Sequence, residues 1–148
     1  MKVLITGGAG FLGQRLARSL LMRGSLLDKA GQEQALARIV LLDKVTPEGF
    51  NDPRIVSIAG DIADAELLER TIDADTGAIF HLAAVVSGQA EADFDLGMRI
   101  NLDATRHLLE VCRRSGHCPK LLFTSSVAVY GGRLPGVVLD DTALNPKS

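Results

Sequence analysis

A short β-branched run, Lys2 to Thr6, breaks directly into Gly7-Gly8-Ala9-Gly10-Phe11-Leu12-Gly13. No other feature limits the fold as strongly. Gly7, Gly10 and Gly13 have G-x-x-G-x-x-G spacing, a relative of the G-x-G-x-x-G turn that joins a strand to a helix in dinucleotide-binding units. Each glycine has a physical task there. Gly7 allows the tight turn, Gly10 lets backbone approach a pyrophosphate with no Cβ in the way, and Gly13 lets the helix sit close on the strand. The helix N-terminus, opening at Phe11 and Leu12, then points free N–H groups at the phosphates. Gly7, Gly10, Phe11, Leu12 and Gly13 are therefore expected at a dinucleotide, the alternative being a merely structural turn.

The rest of the chain repeats the pattern of strand, turn and helix, which predicts an α/β fold with a parallel sheet. Phe11 to Arg23 reads as a helix with Leu12, Leu16 and Leu20 at steps of four and Gly24 as its stop. Residues 24 to 37 are polar and read as a surface insertion carrying at most a turn of helix. Ile39 to Leu42 is the second strand, with Asp43 at its carboxyl end, and the breaker-rich VTPEGFNDP predicts a loop in place of a crossover helix. Ile55 to Ala59 is the third strand. Asp64 is placed to cap a helix carrying Leu67, Leu68 and Ile72. Ala78 to Leu82 is the fourth strand, and Phe94 to Ser115 the longest helix, with Ile100, Ala104, Leu108 and Val111 as its apolar stripe. Leu121 to Phe123 is the fifth strand, and the chain reads as loop after Ser126. Right-handed crossovers and a reversal after the first strand give a Rossmann-type doubly wound parallel sheet of order 3-2-1-4-5.

Asp43 adds a cofactor preference. A carboxylate ending the second strand can accept both hydroxyls of an adenosine ribose and repels a 2′-phosphate, so NAD is expected rather than NADP. Lys44 beside it leaves a small opening for NADP, and a solvated strand-end carboxylate is the alternative. With 16 basic and 18 acidic residues, a net charge of −2 gives no electrostatic reason to expect nucleic acid or an anionic membrane as partner. The opening residues lack an apolar leader and no apolar stretch is long enough to span a bilayer, so a cytoplasmic protein is expected. Cys112 and Cys118 match neither a redox nor a zinc spacing, the three histidines are scattered, and no metal site is expected.

Four segments taken together are more specific. TGGAGFLG at 6 to 13, GDI at 60 to 62, HLAA at 81 to 84 and TSSVAVYG at 124 to 131 occur in order. In this the chain resembles the extended short-chain dehydrogenase/reductase family, also called the NAD-dependent epimerase/dehydratase family, over essentially its whole length. The resemblance implies that Asp61 holds the adenine amino group with Ile62 beside the ring, the alternative being a turn residue. It places Leu82, Ala83 and Ala84 along the cofactor and makes Asn101 the helix asparagine that supports the site, where the alternative is a polar residue on an amphipathic helix. Ser126, four residues before Tyr130, matches the catalytic serine, whose hydroxyl acts on the substrate oxygen. Ser125 and Thr124 precede it, beside substrate or cofactor. His81 is expected to pack at the strand end rather than catalyse.

The family's base is a tyrosine in Tyr-x-x-x-Lys, made acidic by the lysine and the nicotinamide charge. Tyr130 is the one tyrosine and has no lysine four residues on. The chain is therefore expected to be the N-terminal portion, 1-148, of a longer NAD-binding protein whose catalytic pair and substrate part lie beyond it. Within the family, residues 81 to 98 and 131 to 146 are most similar to enzymes that oxidise a four-carbon sugar acid at its 2-hydroxyl with NAD. Ser87 and Gln89 follow the fourth strand, where this fold places substrate, and are candidates to hold the acid; a solvated polar loop is the alternative. Association into a homo-oligomer is left open. A nucleotide-sugar epimerase or dehydratase shares every motif, and a redox-sensing regulator would keep the fold but has no need of Ser126.

Overall fold

The computed structural model describes every residue except Arg133, Pro135 and Ser148. Two of these fall in the 131 to 146 segment, so part of that resemblance lies outside the described residues. Strand β1 (Lys2–Thr6) forms the middle of the sheet and is buried along its whole length. A strand covered on both faces must be apolar throughout rather than alternating, and Val3, Leu4 and Ile5 meet that demand. Lys2 obeys it differently: its ammonium leaves the core to meet the Thr71 carbonyl at 2.7 Å and the Asp73 carboxylate at 2.7 Å.

Helix α1 (Phe11–Arg23) follows, then a hairpin of β2 (Ser25–Leu27) and β3 (Glu33–Ala35), then β4 (Arg38–Asp43) and β5 (Ile55–Ala59). Helix α2 (Ala65–Thr71), β6 (Thr76–His81), a run of short helices and β7 (Lys120–Phe123) complete the order. The main sheet is β5-β4-β1-β6-β7, parallel at every pairing. Leaving the hairpin out of the count, this is the expected order 3-2-1-4-5. The chain reverses direction across the sheet between β4 and β6, which flank β1, so the carboxyl ends of these three strands open a crevice. Residues 44 to 54 form a loop, as their breakers predict, held to α1 by Arg18, which stacks 4.5 Å over the Phe50 ring.

Three elements differ in detail from expectation. Helix α1 has the expected bounds and its stop at Gly24, and buries Gly13, Ala17 and Leu20 with Leu16 packed beside them, while Leu12 is largely exposed. Gly13 has to lie against the Gly7–Gly8 backbone, and this leaves the first leucine of the row outside. The 24 to 37 insertion is the β2–β3 hairpin, not a turn of helix. Asp28 folds its tip by accepting the Ala30 and Gln32 N–H groups at 2.9 Å each, and Gly31 takes the left-handed conformation that such a tip requires. The longest helix runs without interruption from Phe94 to Arg114, as expected, but contains a π segment, and a further helix, α3 (Ser87–Ala92), precedes it where none is expected. Asp93 ends α3 and caps α4 (Phe94–Gly97) by accepting the Leu96 N–H at 2.9 Å. A π turn over Met98–Asp103 then leads into α5 (Ala104–Arg114), the Ala104 N–H reaching back five residues to the Arg99 carbonyl. The stripe Ile100, Ala104, Leu108 and Val111 is buried as expected.

Two apolar layers sandwich the sheet. Leu4, Val40, Leu42 and Ile79 pack with α2 and α5 on one face, and Val3, Ile5, Ile39 and Leu41 with α1 and Leu36 on the other. The β7 edge is different, because Leu121, Leu122 and Phe123 are all exposed. An open apolar edge strand pairs readily with another chain. Residues 1–148 expressed alone are therefore expected to self-associate and to bind a hydrophobic dye. Sedimentation showing a compact, dye-silent monomer would contradict this.

Candidate functional site

The turn after β1 is built from backbone that passes too close to its neighbours for any side chain. Gly7 takes a φ of 71°, and a Cβ there would lie 2.9 Å from both the Ala83 nitrogen and the Leu82 carbonyl carbon. A Cβ on Gly13 would collide with the Gly7 carbonyl oxygen. Gly10 is freer, meeting only that same oxygen at 3.2 Å, which fits a residue whose open side faces the crevice. Gly8 is not singled out by the spacing, yet a Cβ on it would lie 2.8 Å from the Leu41 Cα. Among the described residues no side chain caps the N-terminus of α1, and its first turn carries no acidic residue. Its first N–H groups thus remain available to an anion.

Asp43 is fastened to this turn. One carboxylate oxygen accepts the Ala9 N–H at 2.9 Å and the other accepts the Lys44 N–H at 2.7 Å. Asp61 follows β5, accepting the Ala63 N–H at 2.9 Å and pairing with the Arg99 guanidinium at 2.9 Å. Partial burial would raise the Asp61 carboxyl, but the Ala63 amide and Arg99 outweigh it and hold it below the usual carboxylate range. Arg99 is silent in the sequence because nothing in its spacing links it to residue 61; the fold alone brings them together.

The end of β6 carries a polar chain inside an apolar layer. His81 is buried, with Nδ1 2.6 Å from Thr6 Oγ1 and Nε2 3.0 Å from Thr105 Oγ1, and its ring lies 5.7 Å from that of Phe123. Thr6 and His81 are register partners, so two polar residues at matching strand ends are the available signal for this contact. Asn101 lies in the π turn and grips the backbone of Val85, accepting its N–H at 2.8 Å and donating to its carbonyl at 3.0 Å. Its amide is thereby committed to the loop rather than turned toward the crevice. Such wide turns recur where a helix must aim one side chain off its regular row.

A groove of about 370 Å³ lies along the carboxyl edge. It gathers Gly7, Gly10, Asp43, Ile62, Leu82, Ala83, Ala84 and Gln89 from the expected residues, and Lys44, Gly60 and Val85 besides. Phe11 and Leu12 project outward and Gly13 sits beneath the turn. Asp61 lies between two lining residues without lining the groove itself. Ser87 opens α3 and, with Asn101, faces a neighbouring cavity lined by Phe94 and Met98. Thr124 fastens the end of β7 to His81, its N–H and hydroxyl both meeting the His81 carbonyl, at 3.3 and 3.2 Å. Ser125 and Ser126 follow, exposed, and the Ser126 hydroxyl oxygen accepts the Ala128 N–H at 3.2 Å in a short turn over Val127–Tyr130. Among the described residues no His, Cys, Asp and Glu cluster could hold a metal, and no helix is long and apolar enough to cross a membrane.

Residues 3–148 match the NAD dependent epimerase/dehydratase family. The chain is 67% identical to a D-erythronate dehydrogenase of Cupriavidus necator over all of its length and 45% of that protein's. It thus spans less than half the length of that relative. Its fold superposes, with a TM-score of 0.86 and 37% identity, on a nucleoside-diphosphate-sugar epimerase of Agrobacterium tumefaciens, covering 99% of this chain and 43% of the other. A dTDP-glucose 4,6-dehydratase of Streptomyces venezuelae, solved with NAD bound, gives a TM-score of 0.81 at 29% identity over 99% of this chain and 46% of its own.

His81 gives the site a pH signature. Burial pushes its imidazole below the ordinary value of 6.5, and the groups facing the ring are Thr6 from β1, Thr105 from α5 and Phe123 from β7, none of them charged. The unfolded chain therefore binds this proton more readily than the folded one. The contribution of His81 is complete above about pH 6.5 and is lost as pH falls through the lower, folded value. The stability difference between wild type and His81→Phe, read from urea midpoints, is expected to shrink from pH 8 to pH 5. A constant difference would show that the folded state accepts the proton freely.

Proposed function

The chain belongs to the NAD dependent epimerase/dehydratase family, and from that premise we propose that it is the cofactor-binding portion of an NAD-dependent dehydrogenase that oxidises D-erythronate at its 2-hydroxyl to the 2-keto acid. One observation carries the cofactor reading: α1 enters the groove uncapped, at a turn where a Cβ on Gly7 or Gly13 would strike backbone. That cradle fits a pyrophosphate. The identity of 67% to a D-erythronate dehydrogenase, against 37% to the nucleoside-diphosphate-sugar epimerase, supports the sugar acid over a nucleotide sugar.

In this reading the glycine turn holds the pyrophosphate, and Phe11 and Leu12 contribute backbone N–H groups. Asp43 takes the adenosine ribose. Each of its oxygens accepts one amide and keeps a lone pair for a ribose hydroxyl, while the charge repels a 2′-phosphate. Asp61 and Ile62 flank the adenine, Asp61 sharing its carboxylate with Arg99. Leu82, Ala83 and Ala84 run beside the cofactor, and Asn101 fixes their loop through Val85. Bound NAD supplies the acceptor for the hydride that leaves the substrate carbon.

Ser126 is the catalytic residue that this chain contributes. Its oxygen is already an acceptor for Ala128, so its proton is free to be donated to the reacting oxygen of the substrate. Gln89, in the groove, with Ser87 two residues before it and Ser125 next to Ser126, is proposed to hold the acid. Tyr130 is followed four residues on by Leu134 and does not fit the base. We assign the base to the remainder of the parent protein.

Two variants of the parent protein test the roles. Asp43→Ala is expected to weaken NAD about tenfold or more, the scale of losing hydrogen bonds to a charged group, and to narrow its preference over NADP. Calorimetric titration giving an unchanged ratio of the two affinities would remove Asp43 from the site. Ser126→Ala should lower kcat on D-erythronate by about a hundredfold or more with NAD affinity retained. Near-normal turnover would refute the serine's role.

A further inference from the structure

The polar chain through His81 has a fixed direction, which follows from counting protons. The Thr105 hydroxyl donates to the Asn101 carbonyl at 2.8 Å, so toward His81 it can only accept. Nε2 therefore carries the ring proton and Nδ1 does not. Nδ1 must then accept from the Thr6 hydroxyl, and the Thr6 oxygen in turn accepts the Ala83 N–H at 3.2 Å. One unbroken sequence of donors runs from Ala83 through Thr6, His81 and Thr105 to the Asn101 carbonyl. The Asn101 side chain then closes on the Val85 backbone. Both ends of the relay thus terminate on the segment Ala83 to Val85, which lines the groove.

We propose that His81 is a positioning residue, a neutral single-tautomer relay that holds the Ala83 and Val85 backbone at the spacing the bound dinucleotide needs. The role rests on NAD occupying this groove. Burial has made the alternatives costly. Thr6 is fully buried, so turning its hydroxyl away from Nδ1 would leave a proton with no acceptor. The other tautomer would set Nδ1–H against the Thr6 hydroxyl, leaving that hydroxyl's proton without its acceptor and Thr105 without a donor, and a ring flip would turn carbons toward both threonines. Gly7 runs so close to Leu82 and Ala83 that a Cβ on it would lie 2.9 Å from their backbone, so a displacement of that segment is transmitted directly to the glycine turn.

The relay can be cut away from the groove. In the parent protein, Thr105→Val removes the hydroxyl at constant shape, leaving Nε2–H unpaired, while Thr105→Ser restores it. NAD affinity by calorimetry and amide exchange at Ala83 and Val85 would be measured for both variants and wild type. Thr105→Val is expected to weaken NAD about tenfold, the loss of one buried hydrogen bond, and to speed exchange at Ala83 and Val85 together. Thr105→Ser should restore both readouts. Rescue of both amides by Thr105→Ser separates the relay from local loosening, since Thr105 reaches Ala83 through His81 and Thr6 and reaches Val85 through Asn101. Normal NAD affinity in Thr105→Val, or faster exchange at Val85 alone, would overturn the relay. A wild-type protein that bound no NAD would instead overturn the cofactor reading beneath it. If Thr105→Val does not fold, His81→Phe, which keeps the ring volume, takes its place in the same two measurements. Weaker NAD with faster exchange at both amides would then support the relay, and unchanged NAD affinity would overturn it.

Discussion

The site depends on one close approach of backbone to backbone. Where β1 ends, Gly7 runs so near to Leu82 and Ala83 that no other residue fits, and Gly13 brings α1 down onto the same turn. Three consequences follow from that contact. The helix axis is set so that its N-terminus opens on the crevice, the segment after β6 becomes the crevice wall, and the turn itself needs an external tie. Asp43 supplies the tie through the Ala9 amide. The carboxylate at the end of the second strand thus braces the turn through one oxygen, while the other accepts the Lys44 N–H and both keep lone pairs toward the groove they line.

The wall opposite is held by polar groups as well as by packing. Leu82 to Val85 leaves the sheet at its carboxyl edge, where the ladder of strand hydrogen bonds runs out, and Leu82, Ala83 and Val85 pack only partly buried against the two apolar layers. The Leu82 N–H still meets the Thr6 carbonyl at 3.2 Å, but beyond it the loop relies on Thr6, His81, Thr105 and Asn101. Burying such a network is costly unless each member is paired. Among the described residues no buried side-chain nitrogen or oxygen lacks a partner. Three strands and a helix converge on His81, which explains why a titratable residue can sit in the core without a counter-charge.

Much of this is legible in the sequence, and the reason lies in backbone geometry. The glycine turn, the Asp64 cap and the apolar centres of β1 (Val3 to Ile5) and β4 (Ile39 to Leu42) are dictated locally, so their residues announce them. What is not legible is decided at a distance. At the start of α1 the buried position is Gly13, which must press on the turn, so Leu12 is left exposed. The π turn carries Asn101, whose partner Val85 lies sixteen residues away. Arg99 is drawn to Asp61 from another element. The hairpin is a different case, since Asp28 and Gly31 carry local turn chemistry, but the short exposed strands on either side lack the apolar alternation that would mark them.

In the proposed function the glycine turn, Asp43 and Ser126 serve hydride removal from a secondary alcohol, and the 67% identity to a D-erythronate dehydrogenase is what favours D-erythronate as that alcohol. The most direct test gives the purified parent protein NAD with D-erythronate and, separately, with UDP-glucose and dTDP-glucose, and follows NADH and products. Stoichiometric NADH and a 2-keto acid are expected from D-erythronate, with no reaction of either nucleotide sugar. Epimerised or dehydrated nucleotide sugar without net NADH, and no turnover of D-erythronate, would contradict the proposed function.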